Sequence, residues 1–120
     1  MTEKMKIIDF LRENQLDAIF VQKDENCRYL SKFTGSDSYL LLTKEELYLL
    51  TDSRYTEQAR KESADYTVVD YKGHLAEIVA KLAGEYHIKT MGVETVFSYQ
   101  MYLSFHEYMP NIESVSYTHL

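Results

Sequence analysis

Hydrophobic and polar positions follow helical spacing at the start of the chain and then change to short apolar runs. Apolar residues recurring every three or four positions predict a helix over about residues 3–14, with Thr2 as its cap. The run LDAIFV (16–21) is rich in strand-forming residues and predicts a buried strand. The polar residues 22–26 predict a loop, whereas residues 27–33 fit either a short helix or a strand.

Two leucine-rich runs then follow each other closely. SYLLLT (38–43) and LYLLT (47–51) flank a polar turn, which predicts a β-hairpin. Each arm is too apolar to have one face in water, so we expect helices to cover both faces. Asp52 or Ser53 can cap the next helix, which should run to about residue 63.

The next segments alternate between strand and helix patterns. Residues 66–71 (YTVVDY) predict a strand, and so do residues 89–94 (KTMGVE). Between them, Gly73 opens the clearest helical pattern in the chain. Its apolar stripe comprises Leu75, Ile78, Val79, Leu82 and Tyr86.

The last predicted helix covers about residues 99–108, with Ser98 as its cap and Pro110 beyond its end. Strands that alternate with helices favour parallel pairing through right-handed crossovers, whereas the hairpin adds antiparallel pairing. The pattern therefore predicts an α/β fold: a three-layer domain with a mixed central β-sheet flanked by helices.

Composition narrows the classes of function. The chain has 120 residues, with 13 Lys and Arg against 19 Asp and Glu, so its net charge is −6. An acidic chain argues against nucleic-acid and anionic-membrane partners, because phosphate groups are bound by an excess of cations. No apolar run is long enough to cross a bilayer, and the first residues lack the pattern of a signal peptide. With a single cysteine, the default expectation is a cytoplasmic protein.

No catalytic or metal-binding motif is recognisable in the sequence. The four histidines are scattered, and His74 and His87 are expected on the surface near the ends of a helix. Cys27 has no base beside it and is expected to be a half-buried packing residue. The chain also lacks a glycine-rich phosphate loop and a serine flanked by glycines in a nucleophile elbow.

Three polar spots remain as candidates. Asn26 and Arg28 could simply cap a turn and form a surface ion pair, and residues 35–37 could be a loop that needs a glycine. Residues 52–54 lie where a strand ends and a helix begins, which is where ligands bind in open α/β sheets. Arg54 could hold a carboxylate there with its fork of donors, or it could be a solvated arginine beside a helix cap.

The two segments around the hairpin resemble a known family when taken together. NCRYLSKFTGS (26–36) and TDSRYTEQA (51–59) are similar to N-x-R-Y-L-[ST]-G-F-T-G-S and [TD]-D-[GS]-R-Y-x-x-Q-A of the Xaa-Pro aminopeptidase, prolidase and creatinase N-terminal domain. The resemblance extends over about residues 3–113. Lys32 and Ser53 depart from it, because glycine is common at both positions.

The resemblance implies a ribonuclease H-like fold and a separate C-terminal domain. In the family, that domain has a pita-bread fold and two divalent metals, commonly manganese, and it cleaves the bond before a proline. The resemblance therefore implies no catalytic residue, no metal ligand and no cofactor in this chain, which should be inactive alone. The family's N-terminal domain mediates dimer contacts, and its loops limit substrate access. The matching substrate-access residues here are Phe33, Gly35, Asp37, Tyr39 and Arg54.

The expected domain spans residues 1–113, with residues 114–120 as a tail that is non-native or truncated. We expect a non-catalytic N-terminal domain of a cytoplasmic, metal-dependent Xaa-Pro dipeptidase or aminopeptidase. Its partners would be its own C-terminal catalytic domain, a second copy of the protein and short proline-containing peptides. Two alternatives stay open: a non-catalytic peptidase-like module that binds other proteins, and a stand-alone domain without activity.

Overall fold

A computed structural model describes residues 3–35, 37–94 and 98–117. The predicted helix cap Thr2 and the candidate loop residue Ser36 lie outside the described residues. In chain order, the elements are α1 (Glu3–Glu13), β1 (Ala18–Val21), α2 (Asp24–Ser31), β2 (Tyr39–Thr43), β3 (Leu47–Thr51), a 3-10 turn (Ser53–Tyr55), α3 (Thr56–Glu62), β4 (Thr67–Asp70), α4 (Leu75–Glu85), β5 (Thr90–Glu94), α5 (Tyr99–Tyr108) and β6 (Glu113–Tyr117).

Within the described residues, the strands form one sheet in the order β4-β3-β2-β1-β5-β6. β2 runs antiparallel to both of its neighbours, β1 and β3, whereas the other three pairings are parallel. The predicted mixed sheet and hairpin are therefore confirmed. Because β2 alone is reversed, its first residue lies at the same edge as the carboxyl ends of the other strands.

Helices cover both faces of the sheet, as the apolar hairpin predicts. On one face, Leu40, Leu42 and Leu49 pack with α1, α2 and α3. On the other face, Leu41 and Leu50 pack with α4 and α5. All five leucines are fully buried, and burying one such side chain contributes roughly 1.5–3 kcal/mol. The three-layer α/β fold is confirmed.

Helix α2 begins earlier than the sequence pattern indicates. The loop expected at residues 22–26 is wrong for Asp24, Glu25 and Asn26, which form the first turn of the helix. Acidic side chains there interact favourably with the helix dipole, so a polar stretch can begin a helix. The helix ends at Lys32, whose backbone is left-handed with φ 67°.

Helix α4 packs through smaller residues than the predicted stripe. It starts at Leu75, because Gly73 adopts φ +76° in the turn before it. Its most buried residues are Ala76, Val79 and Ala83, while the larger stripe residues pack along the flanks. Small side chains at the contact let the helix lie close to the sheet. His74 and His87 are exposed, which confirms their expected surface positions.

Strand β6 is an element that the sequence pattern does not predict. It pairs in parallel with β5, with Gly92 opposite Val115 and Glu94 opposite Tyr117. Residues 113–117 therefore belong to the sheet, although the expected domain boundary follows residue 113. Glu113, Ser114 and Ser116 are exposed, which explains why this strand lacks an apolar signature.

Candidate functional site

The carboxyl edge of the sheet brings two of the predicted polar spots together. Asp37 and Tyr39 stand where β2 begins, and Asp52 and Arg54 follow the end of β3. Tyr71 follows the end of β4, the strand paired with β3. A candidate site therefore forms from segments that are far apart in sequence, and we call these five residues the edge site.

Arg54 is held between two carboxylates of the edge site. Its Nε donates to Asp52 Oδ1 at 3.1 Å, and its Nη2 lies 3.9 Å from Asp37 Oδ2. The backbone N–H of Arg54 also donates to Asp52 Oδ1, which confirms Asp52 as the cap of the turn. This backbone bond, together with the guanidinium, lowers the pKa of Asp52, and the bond to Asp52 raises the pKa of Arg54.

The Arg54–Asp37 pair leaves both charged groups accessible to a ligand. The two side chains are 66% and 63% exposed, and a pair this open and this long adds little to folding stability. The guanidinium uses Nε on Asp52, so its outer nitrogens can form the paired hydrogen bonds that suit a carboxylate. Asp37 offers a carboxylate of opposite charge nearby.

Two tyrosines form the wall beside these charges. The rings of Tyr39 and Tyr71 meet edge to face with centroids 5.9 Å apart, and Tyr71 Oη donates to the carbonyl oxygen of Asp37 at 3.3 Å. Burial raises the pKa of both phenols, and the Asp37 carboxylate adds to the effect. Sequence reasoning missed Tyr71, although its place after a strand paired with β3 was a usable signal.

The other two predicted access residues, Phe33 and Gly35, pack against each other and do not join the edge site. Phe33 is 1% exposed and packs edge to face against Tyr55, so its ring belongs to the core. A Cβ on Gly35 would lie 2.7 Å from Phe33 Cε2, so only glycine fits against that ring without displacement. Asp37 itself adopts φ +55°, a conformation unfavourable for a residue with a side chain. The start of the loop is therefore tightly packed through Phe33 and Gly35, and Asp37 follows it in the chain.

Asn26 does not join the edge site and instead braces the start of α2. Its Nδ2 donates to Glu94 Oε2 at 2.6 Å, while Glu94 Oε1 accepts from the backbone N–H groups of Gln22 and Lys23. Glu94 is 7% exposed, and these three bonds satisfy its carboxylate. Arg28 is exposed on α2 and contributes nothing to this brace. Sequence reasoning missed Glu94, because its partners lie about seventy residues away.

Cys27 is more buried than expected. It is 2% exposed, and its Sγ lies 3.5 Å from the carbonyl oxygen of Val21 and 3.6 Å from that of Ser38. Burial raises the pKa of the thiol to about 12, with Glu94 and Asp24 adding to the effect. A thiol this buried and this weakly acidic packs between β1 and β2 and is not a nucleophile.

The described residues do not fit a metal site. Across residues 3–35, 37–94 and 98–117, no group of three or more His, Cys, Asp and Glu side chains is arranged to hold an ion. At the edge site, Arg54 occupies the space between the two carboxylates and would repel a cation. No helix in the described part of the chain is long and apolar enough to cross a membrane.

Known proteins share both the sequence and the fold. The creatinase/prolidase N-terminal domain family model matches residues 5–120. The uncharacterized peptidase YqhT of Bacillus subtilis is 30% identical over 107 residues, which cover 83% of this chain and 30% of that protein. The chain thus spans less than a third of this relative's length.

Two solved structures share this architecture. One is a chain about three times as long as this one, and the other is an N-terminal domain of similar length. The Xaa-Pro dipeptidase from Bacillus anthracis is 30% identical with a TM-score of 0.84, and the match covers 96% of this chain and 34% of that one. The N-terminal domain of the cytoplasmic peptidase PepQ from Mycobacterium tuberculosis is 27% identical with a TM-score of 0.85, covering 97% and 92%. The chain belongs to the creatinase/prolidase N-terminal domain family.

Proposed function

We propose that this chain is the non-catalytic N-terminal domain of a metal-dependent Xaa-Pro dipeptidase or aminopeptidase, and that its edge site shapes substrate access at a neighbouring active site. The carrying observation is the convergence of Asp37, Tyr39 and Arg54 at one sheet edge, where Asp37 and Arg54 are exposed and Tyr39 is half-buried. Phe33 is buried at the start of the same loop, and Gly35 lies against its ring.

The chemistry of the edge site suits the termini of a short peptide. The outer nitrogens of Arg54 can bind the carboxylate of a peptide, and Asp37 can bind an ammonium group. Tyr39 and Tyr71 present ring surface beside them, against which a proline ring can pack. An edge site of this kind would favour peptides of a length that brings their terminal carboxylate to Arg54.

The bond-breaking chemistry belongs to a downstream domain in this proposal. YqhT and the B. anthracis dipeptidase are both about three times longer than this chain, which leaves room for that domain. Two divalent metals, commonly manganese, would supply an activated water there, and no residue of this chain takes part in that step. The proposal includes a cytoplasmic location, as the name of PepQ states for that relative, and a homodimer in which one N-terminal domain faces the partner's active site.

Substitutions in the full-length protein test the proposal. Asp37→Asn and Arg54→Lys remove a charge and the guanidinium fork, respectively, without changing side-chain size greatly. We expect KM for Xaa-Pro dipeptides and tripeptides to change by about threefold or more, with kcat and bound manganese unchanged. Lys81→Gln on the exposed side of α4 is the matched control. Wild-type kinetics in both edge-site variants would contradict the role, and a monomeric mass by light scattering would contradict the dimer.

A further inference from the structure

A hydrogen-bond network joins α3 to the start of the access loop, which comprises residues 33–38. Glu62 Oε1 accepts from the backbone N–H of Thr34 at 2.8 Å and from its hydroxyl at 2.9 Å. Gln58 Nε2 donates to the Thr34 hydroxyl at 3.1 Å and to Glu62 Oε2 at 3.2 Å. Thr34 is therefore held through its backbone and its side chain by two residues one helical turn apart.

The same helical segment supports the loop at two further points. Tyr55 packs against the buried ring of Phe33, and Ser63 Oγ donates to the carbonyl oxygen of Ser31 at 2.6 Å, just before the loop. At the far end of the loop, Arg54 lies beside Asp37. Residues 54–63 thus make contacts near both ends of the loop, with Phe33 and Thr34 at its start and with Asp37 near its end.

This arrangement gives a physical meaning to the two sequence segments that flank the hairpin. Thr34 belongs to the first segment and Gln58 to the second, and they meet 24 residues apart in sequence. Ala59 is fully buried behind this contact, and its small side chain lets α3 lie against the core. The backbone hydrogen bond from Thr34, with those from its hydroxyl and from Gln58, lowers the pKa of Glu62, so the carboxylate stays charged at neutral pH.

We infer that Glu62 and Gln58 are positioning residues of the access loop: by fixing Thr34 they set where Asp37 and Tyr39 stand at the edge site. Both residues line one surface pocket with Arg54, and the hydrogen bonds that connect them to the loop run through Thr34. The inference rests on the proposed function, since it explains how the access residues are placed. Glu62 lies four residues beyond Gln58, outside the segment that carries the resemblance.

Hydrogen exchange of the 120-residue chain tests the bracing directly. In Glu62→Ala, we expect the Thr34 amide to exchange roughly tenfold faster, because it loses a hydrogen bond to a charged acceptor. Glu62→Gln should recover part of the protection, since its amide oxygen can still accept from the same N–H. Glu57→Ala is the matched control on α3, because its carboxylate contacts Lys61 and not the loop. Unchanged Thr34 exchange in Glu62→Ala would overturn the inference.

Kinetics of the full-length protein separate the inference from the proposed function. Glu62→Ala should shift the ratio of tripeptide to dipeptide KM by about threefold, with kcat unchanged and with partial recovery in Glu62→Gln. Wild-type kinetics in Glu62→Ala, together with altered kinetics in Asp37→Asn and Arg54→Lys, would overturn the inference and spare the proposed function. Wild-type kinetics in all three variants would overturn the proposed function as well.

Discussion

Gly35 lies directly against the buried aromatic ring of Phe33, so close that a Cβ at position 35 would overlap the ring. We expect Gly35→Ala to destabilise the domain by about 1–3 kcal/mol, because either the ring or the loop must move. Gly84→Ala is a control of the same chemistry, since a Cβ there meets open space on α4. The free energy of unfolding of Gly84→Ala should rise by up to about 1 kcal/mol, because alanine is a better helix former than glycine. Urea unfolding of both variants checks the pair, and equal effects would contradict the close contact.

Lys32 departs from the family pattern at a position where the backbone favours glycine. Its φ of 67° is costly for a residue with a Cβ, whereas Ser53, the other departure, lies in an ordinary 3-10 turn. We therefore expect Lys32→Gly to stabilise the domain by roughly 0.5–1 kcal/mol, and Ser53→Gly to destabilise it by a similar amount. Thermal unfolding measures both. A loss of stability in Lys32→Gly would mean that its bond to the carbonyl oxygen of Tyr29 outweighs the backbone cost.

Through Asp17, the free energy of unfolding is expected to depend on pH. Burial raises its pKa, but bonds to its carboxylate from the backbone N–H groups of Lys89 and Thr90 outweigh that effect, so the pKa falls below its ordinary 3.8. A carboxyl with a depressed pKa stabilises the fold above its unfolded-state pKa, and that stabilisation disappears as pH falls through the folded-state pKa. Asp17→Asn should cost about 0.5–1.5 kcal/mol at pH 7. The difference from wild type should shrink below about pH 4 in urea unfolding; a difference independent of pH would contradict it.

The elements with apolar runs were predictable, whereas two polar segments, the first turn of α2 and strand β6, were not. The strand at residues 16–21 and both hairpin arms consist mainly of apolar residues, so their pattern alone was enough to predict buried strands. Helix α2 begins with three polar residues, and β6 is mostly exposed at the sheet edge, so neither shows the period that marks a buried face. Both elements are stabilised instead by contacts with residues that are distant in sequence.

The site could be predicted in part for a related reason. Arg54 and Asp37 stand out because a charged residue at the end of a strand is a local signal. Glu62 and Glu94 acquire their roles from partners 28 to 72 residues away, which no local pattern reveals, whereas the place of Tyr71 at the end of a strand was a usable signal. The family resemblance supplied the loop, but only the geometry showed that Phe33 belongs to the core and that Asp37 and Arg54 are exposed.

The division of the core between two faces has a consequence for how the protein is made. A nascent chain that has been synthesised as far as β4 contains helices α1, α2 and α3 and strands β1 to β4. Helices α4 and α5 have not yet been made at that point. Until they arrive, Leu41 and Leu50 lack the helices that cover the opposite face of the sheet. We therefore expect synthesis to pass through an intermediate whose sheet exposes apolar side chains on one face, and this is the stage at which chaperones at the ribosome would protect the chain most.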